Sequence, residues 1–451
     1  MVLDATGGSA YWESAFRFFS PQRQVRGAVL HAPEDAQGVT ATLAATDGRW
    51  QALGDCGDET GTFLRGLLER DAAGKAAYVP CGIEFDAPAL AADGLAGEPD
   101  AITPLLPATG PEAAGGASLP CAATGWIAPK ELALAVFGAA RGASGWGLPA
   151  MVAAVERGGR HWRWNSRPVD TGETAPPAAP HRPAMSWRSR VLAVVPHFGC
   201  EQWLAQCLYA LTTQTREPES IVVIDDASPE PPVDIVRAFP GVTLLAAPVN
   251  IGPENILQNV IQTMDYDAYM VQDADDWCAA TRLQRSLEEA ERTGAGIVGA
   301  QEMRFPTGER EPVLRLHPLD VNRAIAERIG HYLCHGTSLI AREAARRVGG
   351  FDMTLQVAAD TDFVLRSSRV CRIANLPEAH YYRRMRPGSR TSAANTGQGS
   401  ALRDRERDFI FDRARRQGAR VERAAAVATL DFESAVEFRH VLGPPLPRSE
   451  W

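Results

Sequence analysis

The chain has 451 residues, of which 46 are basic and 55 acidic, giving a formal net charge of −9. Only two of the basic residues are lysines, Lys75 and Lys130, so residues 131–451 contain none. This excludes a P-loop lysine, a kinase-type phosphate lysine and a Schiff-base lysine from that part of the chain. An anion bound there must be held by arginine, backbone N–H groups, a helix N-terminus or a metal. The acidic balance also argues against a general nucleic-acid binder.

The length is typical of two or three domains. The eight cysteines are scattered singly with no CxxC pair, which favours reduced thiols and a cytoplasmic protein. The N-terminus has no basic and apolar signal-peptide pattern. The most membrane-like stretch, residues 132–155, contains Arg141 and Pro149 and is better explained by two short helices than by a membrane span.

A cluster of five prolines in residues 168–184 divides the chain, because proline sustains neither a helix nor a central strand. We therefore predict an α+β N-terminal domain at 1–167, of unknown role, and a Pro-rich linker at 168–185. Within the N-terminal domain, 24–32 and 38–45 resemble strands, 59–72 and 130–141 resemble helices, and 84–120 resembles a loop. A catalytic domain at 186–395 and an Arg-rich helical extension at 396–451 follow.

After the linker, short apolar strands alternate with helical periodicity. The predicted strands are 190–195, 220–224, 242–246 and 268–272, and the predicted helices are 201–213, 233–238 and 254–264. This alternation indicates an α/β fold, Rossmann-like, with a mostly parallel sheet and helices on both faces. Ligands of such sheets bind beyond the carboxyl ends of the strands. The polar clusters 196–199, 225–228 and 273–276 all follow predicted strands.

The third of these clusters, Asp273-Ala274-Asp275-Asp276, offers carboxylates to a divalent cation. Mg²⁺ and Mn²⁺ prefer oxygen ligands and need few protein carboxylates when substrate phosphates complete their shell. An isolated Asp-x-Asp is more often a solvated turn before a helix. The metal site is favoured here through a resemblance of this segment and the segments around it to a known family.

Several segments in order resemble the family 2 glycosyltransferases with the GT-A fold, over about residues 188–395. They are Val194–Gly199 with Ile221–Ser228, the Asn-x-Gly segment Asn250-Ile251-Gly252, the Asp-x-Asp segment at 273–276, Gly349–Asp352 with Ala359–Phe363, and Tyr382–Ser389. The resemblance implies a nucleotide-sugar donor, with a UDP-sugar expected, a Mn²⁺ or Mg²⁺ cofactor and transfer with inversion.

The resemblance also implies roles for individual residues. Asp226 would contact the nucleotide base in a pocket lined by Pro196, His197 and Phe198, beside Asn250 and Gly252. Asp273 would hold ribose or metal, and Asp275 with Asp276 would coordinate the metal. Asp360 would be the general base, with Asp362 as the alternative. Asp360 could instead cap its helix.

The chain departs from the family pattern at two places. The family commonly has a Glu where this chain has Ala359, so the partner acid of the expected base is missing. The family often has a metal-reaching His where this chain has Arg386, which could contact the donor diphosphate instead. His380 could then supply the metal ligand. Arg383, Arg384 and Arg390 flank this segment, and the group could close over the diphosphate.

His331 and His335 are four residues apart, which would place them on one face of a helix. A zinc site would need further ligands at a recognised spacing, and none accompanies them. We favour the interpretation that His331 and His335 line the core or the acceptor cleft.

The sequence therefore predicts a metal-dependent glycosyltransferase acting on a soluble acceptor such as a small metabolite, a peptide or a glycan. A non-catalytic nucleotide-sugar-binding or regulatory protein with the same fold is the alternative, since the acid before Asp360 is missing. A sugar nucleotidyltransferase would need a Gly-rich loop with basic residues, which the sequence lacks. We expect no transmembrane segment and no nucleic-acid partner, and a homodimer is compatible with the sequence.

Overall fold

In the computed structural model the described residues are 2–4, 27–31, 50–54, 75–79, 101–105, 118–120, 125–137, 148–166, 168–169, 171, 173, 175–178, 184–306, 312–417 and 435–449. The chain divides into two compact units. The first is formed mainly by residues 1–109 and 120–169, and the second mainly by residues 170–307 and 314–451. The predicted strand 38–45 and helix 59–72 lie outside the described residues.

The N-terminal part of the chain forms a sheet with short helices. Its strands are β1 (Val2–Asp4), β2 (Gly27–His31), β3 (Trp50–Gly54), β4 (Lys75–Val79), β5 (Ala101–Leu105), β6 (Ser118–Pro120), β7 (Gly125–Pro129) and β8 (Arg163–Trp164). Its helices are α1 (Lys130–Phe137) and α2 (Leu148–Gly158). Strand β2 lies within the predicted strand 24–32, and α1 lies within the predicted helix 130–141. The expected loop at 84–120 is wrong in part, because β5 and β6 lie there.

Seven of these strands form one sheet in the order β3-β2-β1-β4-β7-β5-β8. The four strands β1 to β4 run parallel to one another, β7 is antiparallel to both β4 and β5, and β8 is parallel to β5. Trp126 on β7 and Trp164 on β8 are fully buried. Half of this sheet is thus a parallel arrangement, which the sequence did not indicate.

The second unit is built on a larger mixed sheet. Its strands are β9 (Val191–His197), β10 (Ser220–Asp225), β11 (Val242–Ala246), β12 (Ala268–Val271), β13 (Trp277–Cys278), β14 (Ala295–Pro306), β15 (Val313–Arg315), β16 (Leu339–Ala341), β17 (Arg372–Met385) and β18 (Arg439–Leu442). Their order is β13-β17-β14-β16-β12-β9-β10-β11-β18, with β15 pairing both β14 and β6, so β6 belongs to this larger sheet.

Nine helical segments accompany this sheet in the described residues. They are α3 (Glu201–Thr212), α4 (Val233–Arg237), α5 (Pro253–Thr263), α6 (Arg282–Thr293), α7 (Val321–Glu327), the 3₁₀ turn His335–Thr337, α8 (Arg342–Val348), α9 (Ala359–Ser367) and α10 (Ala401–Gln417). The predicted strands and helices of the region 190–272 are confirmed, with ends shifted by a few residues.

Strand β9 lies in the middle of the sheet because its side chains are apolar on both faces. Val191 to Val195 are all fully buried, as expected for a strand covered on both sides. Strands β10 and β12 flank β9 in parallel, and β11 continues the parallel set. Farther out, β16 is antiparallel to both β12 and β14. The α/β class is confirmed, with parallel strands at the centre and antiparallel pairs toward both edges.

The described part of the Pro-rich segment is held against the second unit. Arg292 on α6 donates to the carbonyl of Pro176 at 2.7 Å, and Arg372 on β17 donates to the carbonyl of Pro177 at 2.8 Å. The Glu173 carboxylate accepts the N–H of Leu319 at 2.9 Å. Proline has no backbone N–H to donate, but its carbonyl still accepts hydrogen bonds, and arginine side chains anchor this segment through those carbonyls.

The C-terminal region is not purely helical. Helix α10 agrees with the predicted helical extension, but β18 pairs antiparallel with the edge strand β11. The expectation of a helical segment throughout 396–451 is therefore corrected at 439–442, where the chain covers a sheet edge that would otherwise be exposed. No described helix of the chain is long and apolar enough to cross a membrane.

Candidate functional site

The polar clusters of the second unit meet at one edge of the sheet. Asp225 is paired with His197 in the register of β10 and β9, so both strands end at the same level. The His197 Nδ1 atom lies 3.0 Å from Asp225 Oδ1, and both side chains are buried. Burial would raise the pKa of Asp225, but the hydrogen bonds from His197 and Ser228 lower it overall. This pair fixes the turn from which Asp226 projects.

Asp226 organises the Asn-x-Gly segment. Its carboxylate accepts the N–H groups of Ile251 at 2.7 Å and of Gly252 at 2.8 Å, and its carbonyl accepts the Asn250 side-chain amide at 3.1 Å. Gly252 has φ +85°, a conformation that favours glycine. Burial raises the pKa of Asp226, and the two N–H donors offset only part of that effect. The structure thus brings Asp226, Asn250 and Gly252 together.

The side chain of Phe198 is exposed at the end of β9, beside the turn that carries Asp226. Its side chain is 51 % exposed, although it follows directly on the buried strand β9. Pro196, the penultimate residue of β9, is partly buried, and His197 is buried against Asp225. An exposed aromatic ring at a sheet edge is available for stacking on a planar ligand. Of the predicted pocket residues, Phe198 is therefore the one available to a ligand.

Asp273 is fixed by residues that the sequence did not single out. Its backbone N–H donates to the Tyr381 hydroxyl at 3.2 Å. A Cβ atom at Gly336 would collide with that hydroxyl and lie 3.0 Å from Asp273 Oδ2, so only glycine fits there. Burial and the neighbouring charge of Asp275 raise the pKa of Asp273. Since Asp273 is nevertheless partly exposed, it lines a recess in the surface.

Asp275 faces Arg386. The Arg386 Nε atom donates to Asp275 Oδ2 at 2.6 Å, and a second guanidinium nitrogen lies 3.1 Å from the Cys200 sulfur. The guanidinium also stacks over Trp203, with its carbon 5.0 Å from the ring centroid. Burial lowers the pKa of Arg386, but Asp275 raises it above the ordinary value. The residue at the position of the family's histidine thus contacts the predicted metal ligand directly.

Asp276 has a different environment from Asp275. It is buried, and its Oδ1 atom accepts the backbone N–H of Arg384 at 2.7 Å. Burial and the charges of Asp275 and Asp273 raise its pKa well above the ordinary value. The Asp276 side chain therefore ties the Asp-x-Asp turn to strand β17. Its neighbour Asp275, whose side chain is 16 % exposed, is the more accessible carboxylate.

His380 lies away from these carboxylates. It precedes Tyr381 on β17, so its side chain points to the opposite face of that strand. Its ring is fully buried, 3.9 Å from the Glu378 carboxylate, and the charges that act on it come from Arg282 and Arg285. Burial, with these two arginines, lowers its pKa to about 3. The structure does not bring His380 together with Asp273, Asp275 and Asp276.

No group of three or more His, Cys, Asp or Glu side chains in the described ranges is arranged to hold a metal ion by itself. Asp275 and Asp273 nevertheless fit a site in which donor phosphates supply most of the ligands. In the described structure, Asp275 Oδ1 accepts no hydrogen bond, whereas Oδ2 is taken by Arg386. One or two carboxylates, those of Asp275 and Asp273, are thus available to a cation. Asp276 and His380 are engaged elsewhere.

Asp360 lies in the first turn of α9. Its Oδ1 atom accepts the N–H of Thr361 at 2.8 Å, and the Thr361 hydroxyl lies 2.8 Å from His331 Nδ1. Burial would raise the pKa of Asp360, but the charges of His331 and His335 lower it overall. Its Oδ2 atom accepts no hydrogen bond from the described residues, and Asp360 is partly exposed. It is therefore an ionised carboxylate with one oxygen available.

Asp362 is occupied by two arginines. Its carboxylate accepts Arg366 Nε at 2.7 Å and a guanidinium nitrogen of Arg413 from α10. Arg413 also binds Asp352 at 2.9 Å, and Arg366 donates to the carbonyls of Val348 and Gly350. Asp362 is buried, with 3 % of its side chain exposed. It holds α9 to α10 and to the Gly-Gly turn.

Two positive groups connect the two sets of carboxylates. The charge of His335 acts on both Asp273 and Asp360. Arg390 interacts electrostatically with both Asp226 and Asp360, and it binds Glu254 at 2.5 Å and the Gln356 carbonyl at 2.6 Å. The sheet-edge carboxylates and Asp360 therefore surround one site. His331 lies 2.8 Å from the Thr361 hydroxyl, beside Asp360, and the interpretation of His331 and His335 as residues that line the core or the acceptor cleft stays a prediction.

Glu302 is a buried site residue that the sequence analysis missed. It is fully buried on β14, 2.5 Å from an Arg304 nitrogen and 3.6 Å from Arg383, whose charge also acts on Asp273 and Asp276. Burial would raise the pKa of Glu302, but His317 and these arginines keep it well below the ordinary value. The sequence did contain a signal for this residue, because Glu302 is a charged residue within the apolar run 295–303.

Comparison with known proteins gives the family. Residues 192–349 match the model of glycosyl transferase family 2. No curated protein sequence matches the chain.

Among solved structures, the chain is similar to S. aureus TarS 1-349 in complex with UDP. That similarity has 17 % identity and a TM-score of 0.35, and it covers 44 % of this chain and 61 % of that chain. It is also similar to the mannosyltransferase PcManGT from Pyrobaculum calidifontis in complex with GDP-Man and Mn²⁺. There the identity is 18 % and the TM-score 0.39, with coverage of 53 % and 68 %.

The alignment thus spans about three-fifths of the TarS 1-349 structure. The family match begins in β9 and ends at the Gly-Gly turn after α8, and it includes Asp226, Asp273 and Asp275. The predicted GT-A fold and the enzyme class are confirmed, and residues 192–349 form a family 2 glycosyltransferase domain.

Proposed function

We propose that the chain transfers a sugar from a nucleoside diphosphate sugar to an acceptor hydroxyl, with inversion at the anomeric carbon. The observation that carries the proposal is the position of Arg390, which binds Glu254 on α5, just after the Asn250–Gly252 segment, and the carbonyl of Gln356, just before α9 and Asp360. Arg390 also interacts electrostatically with both Asp226 and Asp360. A donor bound at the edge and an acceptor bound at Asp360 would therefore meet. A soluble acceptor such as a small metabolite, a peptide or a glycan remains our prediction.

The donor nucleotide would bind at the turn formed by Asp226 and the Asn250–Gly252 segment. Phe198 can stack on the base, and the polar groups of the Asp226 turn can bond its edge. We propose UDP-sugar as the donor. The TarS structures hold UDP or UDP-GlcNAc and the mannosyltransferase holds GDP-Man, so the base is the first property to measure.

The diphosphate would lie near Asp275 and Arg386. A divalent cation, Mn²⁺ or Mg²⁺, held by Asp275 and Asp273 would neutralise the leaving diphosphate as a Lewis acid. Arg386 and Arg383 are the cations that this chain itself can offer to the phosphate oxygens, and arginine binds phosphate in a bidentate manner. The lysine-free composition of this domain is compatible with such a site.

Asp360 would act as the general base. Its Oδ2 atom takes the proton of the acceptor hydroxyl as the acceptor oxygen bonds to the anomeric carbon, while the bond from that carbon to the diphosphate oxygen breaks. The partial exposure of Asp360 and its Oδ2 atom, which accepts no hydrogen bond from the described residues, support this assignment, and its lowered pKa means that it is ionised at neutral pH but is a weaker base than an ordinary aspartate. Asp362 is less suited, since two arginines occupy its carboxylate.

The test is donor turnover and transfer by the full chain and by Asp275→Ala and Asp360→Asn. We expect both substitutions to reduce turnover by at least about a hundredfold, the usual scale for losing a general base. Asp234→Asn is the matched control, because Asp234 lies on α4 with its side chain 92 % exposed. Undiminished transfer by Asp275→Ala would contradict the metal-site assignment.

The alternative is a non-catalytic nucleotide-sugar binder. Ala359, in place of the family's acid, is the observation that favours it. Nucleotide binding by the wild-type chain without turnover of UDP- or GDP-sugars, in the presence of Mn²⁺ and a broad acceptor panel, would select this alternative. Turnover that disappears in Asp360→Asn would exclude it.

A further inference from the structure

The sheets of the two units share their strand order and strand directions. In the first unit the order β3-β2-β1-β4-β7-β5-β8 corresponds, strand by strand, to β11-β10-β9-β12-β16-β14-β17 in the second. Both sets begin with four parallel strands, continue with one strand antiparallel to both neighbours, and end with a parallel pair.

This agreement is more specific than a shared fold class. An ordinary doubly wound sheet continues with parallel strands. Here, in both units, the fifth strand in the order of the sheet comes later in the chain than the sixth. Thus β7 lies between β4 and the earlier β5, and β16 lies between β12 and the earlier β14. Two unrelated sheets would share this inverted order and all six pairing directions only by coincidence.

The helices after the inserted strands also correspond. Helix α1 follows β7 directly and helix α8 follows β16 directly. Both helices begin with a basic residue and glutamate, and both have alanine fourth and valine seventh: Lys130, Glu131, Ala133 and Val136 in α1, and Arg342, Glu343, Ala345 and Val348 in α8. The third, fourth and seventh residues are buried in both. The two helices therefore present the same face to their sheets.

The next helix shows the difference between the units. Helix α2 follows α1 and precedes β8, as α9 follows α8 and precedes β17. In each unit the two consecutive helices pack against each other. The first turn of α9 contains Asp360 and Asp362, whereas the first turn of α2, Leu148-Pro149-Ala150, contains no acid. The position that corresponds to the proposed base Asp360 is therefore Pro149, which can neither accept nor release a proton.

The donor side differs as well: the sequence two residues after β4 is Cys81-Gly82-Ile83-Glu84, where Asp273-Ala274-Asp275-Asp276 follows the corresponding strand β12. From this we infer that the first unit is a second, catalytically silent glycosyltransferase-like domain, and that the chain has one transfer site and one donor nucleotide site. The N-terminal region is then a copy of the same architecture and not an unrelated accessory domain. The assignment of the silent base position rests on the proposed function of Asp360, while the correspondence of the sheets does not.

Nucleotide stoichiometry tests the number of sites. Equilibrium dialysis of the full chain with labelled UDP, and separately with labelled GDP, each with Mn²⁺, is expected to give one equivalent per chain for the preferred nucleotide. Asp275→Ala should lose this binding at least about tenfold in affinity, and Asp234→Asn should retain it. Two equivalents, or one equivalent that Asp275→Ala leaves unchanged, would overturn the inference of a single site.

Hydrogen exchange of the wild-type chain tests the copied fold without any ligand. Strands β1 and β4 have neighbours on both sides, whereas β3 has only β2 beside it among the described strands. We expect peptides covering β1 and β4 to exchange at least about tenfold more slowly than those covering β3. Equal protection would contradict the strand order. Loss of turnover in Asp360→Asn reports on the proposed function separately, so the two failures are distinguishable.

Discussion

Arg386 is bound to Asp275, with its Nε atom 2.6 Å from the Oδ2 atom of the carboxylate. The guanidinium thereby neutralises the carboxylate that we expect to hold the divalent cation. A cation that enters this site must share Asp275 with Arg386 or displace it. The donor diphosphate offers Arg386 another anion to bind, so metal and donor should favour each other's binding.

Removing the guanidinium should therefore change metal binding before any donor is present. We expect Arg386→Ala to bind Mn²⁺ about tenfold more tightly than the wild type in the absence of nucleotide, because one partly buried charge no longer opposes the metal. Its KM for the donor should rise. Electron paramagnetic resonance of free Mn²⁺ measures the first effect. Arg237→Ala, at an exposed ion pair, is the control, and an unchanged Mn²⁺ affinity in Arg386→Ala would argue against Asp275 as a ligand.

Asp360 should be needed for turnover, whereas Asp362 should be needed for the stability of the fold. Asp360→Asn should lower kcat by about 10²-fold or more with little change in stability, because its Oδ2 atom makes no described hydrogen bond. Asp362→Asn should instead lower the free energy of unfolding by about 3–5 kcal/mol, since it leaves the buried Arg366 without its carboxylate partner and removes one of the two carboxylates that bind Arg413. Urea unfolding and steady-state kinetics separate the two effects, and the reverse pattern would exchange the assignments.

The pH dependence of turnover should reflect the positive groups around Asp360. His331, His335, Arg390 and Arg403 act on this carboxylate, and its pKa lies below the ordinary 3.8. Deprotonated Asp360 is the active form, so its own acidic limb should lie below about pH 4. In His331→Gln one positive neighbour is lost, so the pKa of Asp360 rises and the limb of kcat/KM moves to higher pH. Circular dichroism at each pH must show that both proteins remain folded.

His380 should make the fold sensitive to acid. Its pKa is about 3 in the folded chain because the ring is buried beside Arg282 and Arg285, and its ordinary value is 6.5. The unfolded chain therefore binds an extra proton between these values, and the stabilising contribution of neutral His380 is lost as pH falls from about 6.5 toward 3. Urea unfolding between pH 4.5 and about 7 should show a weaker pH slope in His380→Gln. His440→Gln, at an exposed position of β18, should keep the wild-type slope.

The sequence by itself determined the class of the fold and predicted the edge at which we propose that ligands bind. A short run of mostly β-branched apolar residues such as Val191–Val195 favours a buried central strand, and the polar clusters after β9, β10 and β12 follow at the same end of each parallel strand. These are local properties, because the strand and the turn that follows it are adjacent in the chain. The resemblance to family 2 glycosyltransferases depended on the same segments.

Tertiary structure decided which of the candidate side chains meet. Asp360 and Asp362 are only two residues apart, but the turn of α9 directs one to the site and the other to Arg366 and Arg413. His380 and Tyr381 are neighbours on β17, and the alternation of the strand directs Tyr381 to Asp273 and His380 to Arg282 and Arg285 of α6. Contacts with residues distant in the chain made these distinctions.

The strand order of the first unit likewise required the folded structure. Its pairings join segments that are far apart in sequence, such as β1 with β4 and β5 with β8, and the strands are too short for their own pattern to specify partners. The basic-Glu-x-Ala-x-x-Val pattern in α1 and α8 was present in the sequence. The pattern indicates a correspondence between the two units only because the structure places both helices after equivalent strands, where the same face of each helix packs on its sheet.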